Sequence, residues 1–127
     1  MPTAPVPADD FAGYLRAYTA EVTSGDDDPA AVVDRYHAPD IQWVSDGTAL
    51  DRDRLVAHVR PARHNARSVR VDVHDVVVSG DRVAARYTLR ATLRKGRELA
   101  MDAQLFGTLA ADGRLRRVDQ ITRTLPG

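Results

Sequence analysis

Val83-Ala84-Ala85-Arg86-Tyr87-Thr88-Leu89-Arg90-Ala91-Thr92-Leu93-Arg94 carries an apolar residue at every odd position from 83 to 93. From Arg86 onward every even position is polar. A period of two is the signature of a strand with one face on a core and the other toward solvent. The same period continues on both sides. Upstream, Val69, Val71 and Val73 alternate with Arg70, Asp72 and His74, after which Val76 and Val78 carry the apolar set on the opposite parity. That slip predicts a bulge near His74-Asp75. Downstream, Leu99, Met101, Ala103, Leu105, Gly107 and Leu109 alternate with Glu98, Asp102, Gln104 and Thr108, and Leu115 to Thr124 reads as a last strand. Ser79-Gly80-Asp81, Lys95-Gly96-Arg97 and Ala111-Asp112-Gly113 supply turn chemistry between them. The second half is therefore a meander of four antiparallel strands.

The first half has helical spacing. Phe11, Tyr14, Leu15, Tyr18 and Val22 recur at helical intervals after Asp9 and Asp10, either of which can cap a helix ending at Thr23. Gly25 is placed for a left-handed residue beyond that end. Asp28-Pro29 opens a second helix, with Asp as cap and Pro in the first turn, and Pro39 stops it near His37. Ile41 to Val44 is a short strand, Ser45-Asp46-Gly47-Thr48 a turn, and Asp51 to Val59 a third helix ended by Pro61. Three helices before a meander make an α+β domain, the helices packed on one face of a curved, mostly antiparallel sheet. Residues 1–8 read as an extended or disordered proline-rich tail and residues 9–127 as one domain.

Composition narrows the chemistry. The chain has 127 residues, no cysteine and a formal net charge of zero. One domain's length allows one core. Without cysteine there is no disulfide framework, no thiolate zinc site and no thiol nucleophile. No run of His, Asp and Glu has metal-ligand spacing, so neither metal nor cofactor is expected. No apolar run approaches the roughly 18 residues that span a bilayer, and the start lacks the pattern of a signal peptide. A cytoplasmic protein with no membrane partner is the expectation. Neutrality hides an asymmetry: six arginines face eleven acids up to Ala66, whereas twelve basic residues face seven acids beyond it. Arg82, Arg86, Arg90 and Arg94 stand four apart on one strand face. A single-stranded nucleic acid would want aromatics between them, and the neighbouring strand offers only Phe106. The outer sheet face instead reads as a homodimer surface where these arginines meet acids of the first half, with no nucleic-acid partner.

The order of these elements resembles the nuclear-transport-factor-2-like superfamily, in particular its SnoaL-like branch. The residues that carry the resemblance are the tyrosine-rich first helix ending in Ser24-Gly25-Asp26, and Tyr36-His37-Ala38-Pro39-Asp40-Ile41-Gln42-Trp43. Further on come Val71 to Ala84 through Ser79-Gly80-Asp81 and the closing Asp112-Gly113-Arg114-Leu115-Arg116-Arg117. The likeness extends from about Phe11 to Arg123. It implies a cone-shaped domain whose helices and curved sheet enclose one apolar pocket, often as a dimer. Known activities of the superfamily include ketosteroid isomerisation, polyketide cyclisation, epoxide hydrolysis and dehydration, beside non-enzymatic binding roles. Fold alone leaves the chemistry open.

Strand parity and the resemblance together nominate a pocket. Tyr14, Trp43, Tyr87, Met101, Leu105 and Val118 would shape it around the substrate. Asp46 follows the strand on which a ketosteroid-isomerase relative keeps its general base, with Ser45 an equal claimant by alignment. A carboxylate at an apolar wall would have its pKa raised into a useful range. His58, on the third helix, could pair with Asp46, and Tyr18 falls where that relative keeps an oxyanion-donating tyrosine. Gln120 points inward near the acid–base aspartate of SnoaL-type cyclases, with the neighbouring Asp119 as alternate. Leu105 stands where ketosteroid isomerases place a protonated aspartate, a departure that weighs against steroid isomerisation. No glycine-rich phosphate loop or nucleophile elbow is present.

The expected function is cofactor-independent binding of a small, largely apolar metabolite of polyketide or isoprenoid character. If the protein is catalytic, the step is acid–base: isomerisation, cyclisation, dehydration or epoxide opening. The alternative is a non-catalytic ligand-binding or dimeric partner-binding domain with the same pocket.

Overall fold

A computed structural model describes residues 4–126. They form α1 (Phe11–Ser24), α2 (Pro29–Tyr36), β1 (His37–Ser45), β2 (Thr48–Leu50), α3 (Arg52–Asn65), β3 (Ala66–Ser79), β4 (Arg82–Leu93), β5 (Glu98–Leu109) and β6 (Leu115–Thr124). The six strands make one curved, open sheet in the order β2-β1-β6-β5-β4-β3. It is mixed: β1 runs parallel to β6, and every other pair is antiparallel. This is the α+β architecture expected, with the meander intact and β1 inserted beside its last strand.

The apolar periodicity is what the fold buries. Val83, Ala85, Tyr87, Ala103, Leu105 and Val118 lie on the sheet's inner face and join one core with Tyr14, Leu15, Val32, Val33 and Val59 of the helices. Each fully buried valine or leucine among them contributes about 1.5–3 kcal/mol. The predicted bulge is present: the β3–β4 register shifts between Val73 and Asp75, so Val76 and Val73 both reach the core from opposite parities.

Caps follow the acids. Asp10 accepts from the Gly13 amide at the start of α1, and Asp28 from the Ala31 amide at the start of α2. Three local expectations are corrected. Gly25 is extended, at φ −75° and ψ 168°, and makes no left-handed cap. One of the last carbonyls of α1 has another donor: the Arg63 guanidinium bonds the Glu21 carbonyl through Nε and Nη2, and through Nη1 the Asp27 carbonyl in the loop beyond. Glycine is still needed at position 25, because a Cβ there would lie 2.8 Å from the Glu21 oxygen.

Arg63 also explains the second correction. α3 does not end before Pro61 but continues to Asn65 with that proline inside it. Pro61 is exposed, so water can serve the carbonyl it leaves unpaired, while the added turn seats Ala62 on the core and delivers Arg63 to α1. The third correction is to β1, which begins at His37 rather than Ile41 and contains Pro39. The proline is tolerated because the β1–β6 ladder is interrupted between His37 and Gln42.

Of the proposed tail, Met1, Pro2 and Thr3 lie outside the described residues. Its end is docked: Pro7 is fully buried and the Ala8 amide bonds the Gly113 carbonyl at 3.1 Å. Gly113 has φ +89°, and a Cβ on it would stand 2.7 Å from Val6, so glycine is required twice over. Among the described residues no helix is long and apolar enough to cross a membrane.

Candidate ligand site

Two buried polar assemblies sit on the inner face, and a cleft opens at its other end. The first assembly crosses three strands. The Tyr87 hydroxyl on β4 donates to Gln120 Oε1 on β6 at 2.6 Å, and Gln120 Nε2 donates to Ser45 Oγ on β1 at 3.3 Å. Strand pairing forces this chain, since Ser45 is the register partner of Gln120 across the parallel ladder. Burial pushes the Tyr87 phenol up, so it stays a neutral donor. Asp119, the neighbour of Gln120, is exposed and paired with Arg117.

The second assembly is aromatic. Tyr14, Tyr18, Tyr36, His37 and Trp43 form a cluster in which Tyr14 and Tyr18 stack at 5.7 Å and 10° while His37 meets Tyr18 edge-on at 4.7 Å. Tyr14 and His37 are fully buried, Tyr18 and Trp43 half-buried. His37 is held by the Val33 carbonyl at Nδ1 and by the Tyr14 hydroxyl at Nε2. Burial lowers its pKa to about 4, partly opposed by the Val33 bond. The same burial raises the phenols of Tyr14 and Tyr18.

The other expected residues are scattered by comparison. Asp46 is exposed in the β1–β2 turn, where it takes φ 51° ahead of Gly47 at φ 83°. Two successive positive φ values are those of a tight two-residue hairpin. Its carboxylate accepts from the Thr122 amide at 2.8 Å and from the Thr122 hydroxyl, and these bonds hold its pKa below the usual carboxylate value. The physical reason is the ladder: β1 turns away at Gly47 and leaves the Thr122 amide without a strand partner, and the carboxylate fills that place. His58 is exposed on α3 and makes no hydrogen bond or ion pair with Asp46 among the described residues. Met101 is half-buried beside Leu89, while Leu105 and Val118 are buried in the core. Thus Tyr87 and Gln120 are brought together, Tyr14, Tyr18 and Trp43 are brought together, and Asp46 and His58 are not.

The cleft lies at the other end of the inner face, between α3 and the tips of β3, β4 and β5. Its volume is about 600 Å³, within the usual range for a small-molecule site. Val69, Leu89, Ala91, Leu93 and Leu99 make its apolar side, and Pro61 and Ala62 face them from α3. His58, His64, Arg94, Lys95 and Arg97 stand along it as the cationic or titratable members. Of the residues expected in a pocket, His58 is the member of the catalytic set that lines this cleft. Lys95 and Arg97 were legible only as a turn, and Arg94 was expected on the outer face with Arg82, Arg86 and Arg90; it lies beyond the end of β4 and lines this cleft instead. What brings them to α3 is the length of the β4–β5 hairpin.

The outer face carries a second depression, an open trough of about 630 Å³ with Val44, Val77, Ala84, Phe106 and Ile121 on its floor. Ile121 is 71% exposed and Val77 63%. The arginine column beside it finds acids on the adjacent strand: Arg86 pairs with Asp75 and Arg90 with Asp72, while Arg82 lies over the Phe106 ring at 5.9 Å.

Solved structures share this fold. A provisionally named polyketide cyclase from Acidithiobacillus ferrooxidans is 20% identical with a TM-score of 0.65, over 96% of this chain and 91% of that one. A provisionally named isomerase from Rhodopseudomonas palustris is 16% identical with a TM-score of 0.69, over 87% of each chain. A protein of ketosteroid isomerase-like fold from Catenulispora acidiphila, solved with trimethylamine, is 14% identical with a TM-score of 0.62, over 84% of this chain and 81% of that one. At such identities the likeness is one of fold. No curated protein is significantly similar in sequence. The family model of the SnoaL-like domain matches residues 15–118, from the first helix to the middle of β6, and the chain belongs to the SnoaL-like family.

Proposed function

We propose that this SnoaL-like domain binds a small, largely apolar molecule without a cofactor, and that the cleft between α3 and the β3–β5 tips is its seat. The observation that carries this is an apolar wall of Val69, Leu89, Leu93 and Leu99, all half-buried, with the buried Ala91 among them, bordering a space of about 600 Å³. Any acid–base step on the ligand falls to the cleft imidazoles His58 and His64, because Asp46 is committed to Thr122 in the β1–β2 turn and Gln120 to Tyr87 and Ser45. A cytoplasmic setting belongs to the same reading, supported by the cysteine-free composition. The test is titration with an environment-sensitive apolar dye, read by fluorescence, in the native protein and in Ala91→Trp. Binding that is lost when the indole fills the cleft supports the seat. Undiminished binding in Ala91→Trp places the ligand elsewhere.

We also propose a homodimer through the outer sheet face. What supports it is the exposed row of Val77, Phe106 and Ile121, flanked by ion pairs of both signs. Such a patch is self-complementary under two-fold symmetry.

A further inference from the structure

We infer that the ligand of the cleft is an apolar carboxylate, its hydrocarbon body on the Leu89–Leu99 side and its anionic end at the β4–β5 turn. The inference rests on the reading of the cleft as the ligand seat and adds the chemistry of the ligand's polar end. Three observations carry it. Arg94, Lys95 and Arg97 are crowded into one hairpin turn, and all three line the cleft. None of them has a carboxylate within ion-pair distance among the described residues, whereas the outer-face Arg86, Arg90, Arg117 and Arg123 each have one. Among the described residues no Asp or Glu lines the cleft, while the outer trough includes Asp75 and Asp119. His58 and His64 face the same space from α3 and add no negative charge.

The physics favours an anion at that end only. Like charges gathered in one turn repel, and an incoming carboxylate relieves that repulsion while forming charge-assisted hydrogen bonds. A cation would meet three positive charges and no acid. A phosphate would be attracted as well, yet the apolar wall rewards a hydrocarbon body that inorganic phosphate lacks. The chain's one lysine lies at the centre of this turn, so its ε-amine is a reporter of occupancy.

The experiment compares three probes of equal chain length on the intact protein by calorimetry: decanoate, decan-1-ol and decyltrimethylammonium. Decanoate should bind about tenfold more tightly than decanol, the effect of a few partly exposed ionic contacts. Decyltrimethylammonium should bind weakest, and the decanoate advantage should shrink at high salt. Lys95→Glu with Arg97→Glu, both exposed positions, should remove the decanoate advantage and leave decanol binding as it was. Protection of Lys95 from acetylation by decanoate, and not by decanol, reads the same contact without a substitution. Equal affinity for decanoate and decanol, both abolished in Ala91→Trp, overturns the anionic preference and keeps the seat. Absence of binding by all three, or binding indifferent to Ala91→Trp, overturns the seat and this inference with it.

Discussion

The Tyr14 hydroxyl donates to Nε2 of His37 across 2.9 Å, and Nδ1 of His37 donates to the Val33 carbonyl at 2.7 Å. Nδ1 must donate because a carbonyl only accepts; with burial lowering its pKa to about 4 the ring is neutral, so Nε2 accepts from the Tyr14 hydroxyl. The pair ties α1 to the junction of α2 and β1, and it is sealed from solvent.

From this follows a pH dependence with a definite sign. Unfolded, His37 titrates at ~6.5; folded, burial lowers it to about 4. Between these values the unfolded chain binds the extra proton, so stability rises with pH across that window and is lost as pH falls through it. The contribution is roughly 3 kcal/mol when fully developed. Urea unfolding midpoints measured from pH 7 to pH 4 should fall, and His37→Gln should flatten the slope. An unchanged slope in that variant would show that His37 is not the group responsible. The lowered carboxylates Asp34, Asp46, Asp102 and Asp112 act only at more acid pH.

Tyr14→Phe keeps the ring packing and removes the hydroxyl. Nε2 of His37 then becomes a buried acceptor without a donor, at a cost of about 1–3 kcal/mol. Urea unfolding should show a lower midpoint at an unchanged m-value. In a His37→Phe background the same substitution should cost much less, since the hydroxyl has no acceptor there.

Asp46 is placed to hold the β1–β2 hairpin against β6 through Thr122. Asp46→Asn should lower the thermal midpoint at pH 7. Because the folded carboxylate titrates below its unfolded value, the stability it lends is present above ~3.9 and is lost as pH falls through the folded value. The variant should accordingly differ least from the native protein in strong acid. Dye binding in the cleft should be unaffected. Loss of cleft binding at native stability would mean that Asp46 serves the ligand rather than the hairpin.

Ile121→Arg places a charge on the outer face at a position already 71% exposed. Sedimentation equilibrium should find the native protein dimeric and the variant monomeric, with near-native circular dichroism in both. A native protein that sediments as a monomer at high micromolar concentration would remove the outer-face dimer.

Much of the fold was legible because two simple periods do not depend on distant partners. Alternation from Val83 to Leu93 places inner and outer faces whatever packs on them, and the parity slip at His74-Asp75 marks its bulge locally. Asp10 and Asp28 cap their own helices within three residues. Gly25 and Pro61 misled for one shared reason. Arg63, from a helix that continues past its proline, reaches the Glu21 carbonyl near the end of α1, and a contact spanning 42 residues leaves no local trace.

The site divides the same way. Inward and outward parity correctly separates Gln120 from Asp119, and buries Leu105 and Val118. Parity cannot say which inner positions are filled by neighbours and which remain open. Tyr14, Tyr87 and Val118 are closed over by the helices, whereas the half-buried Leu89 and Leu93 lie where α3 ends and the long β4–β5 hairpin runs on. The amino-acid sequence by itself thus determined the strands, their faces, the bulge and the SnoaL-like order of elements, all of which are set by local pattern. Tertiary structure alone decided that Asp46 serves Thr122, that His37 meets Tyr14, and that the open space lies beside Arg94, Lys95 and Arg97. Each of these depends on how far two distant segments extend before they meet, and a periodic pattern records direction but not reach.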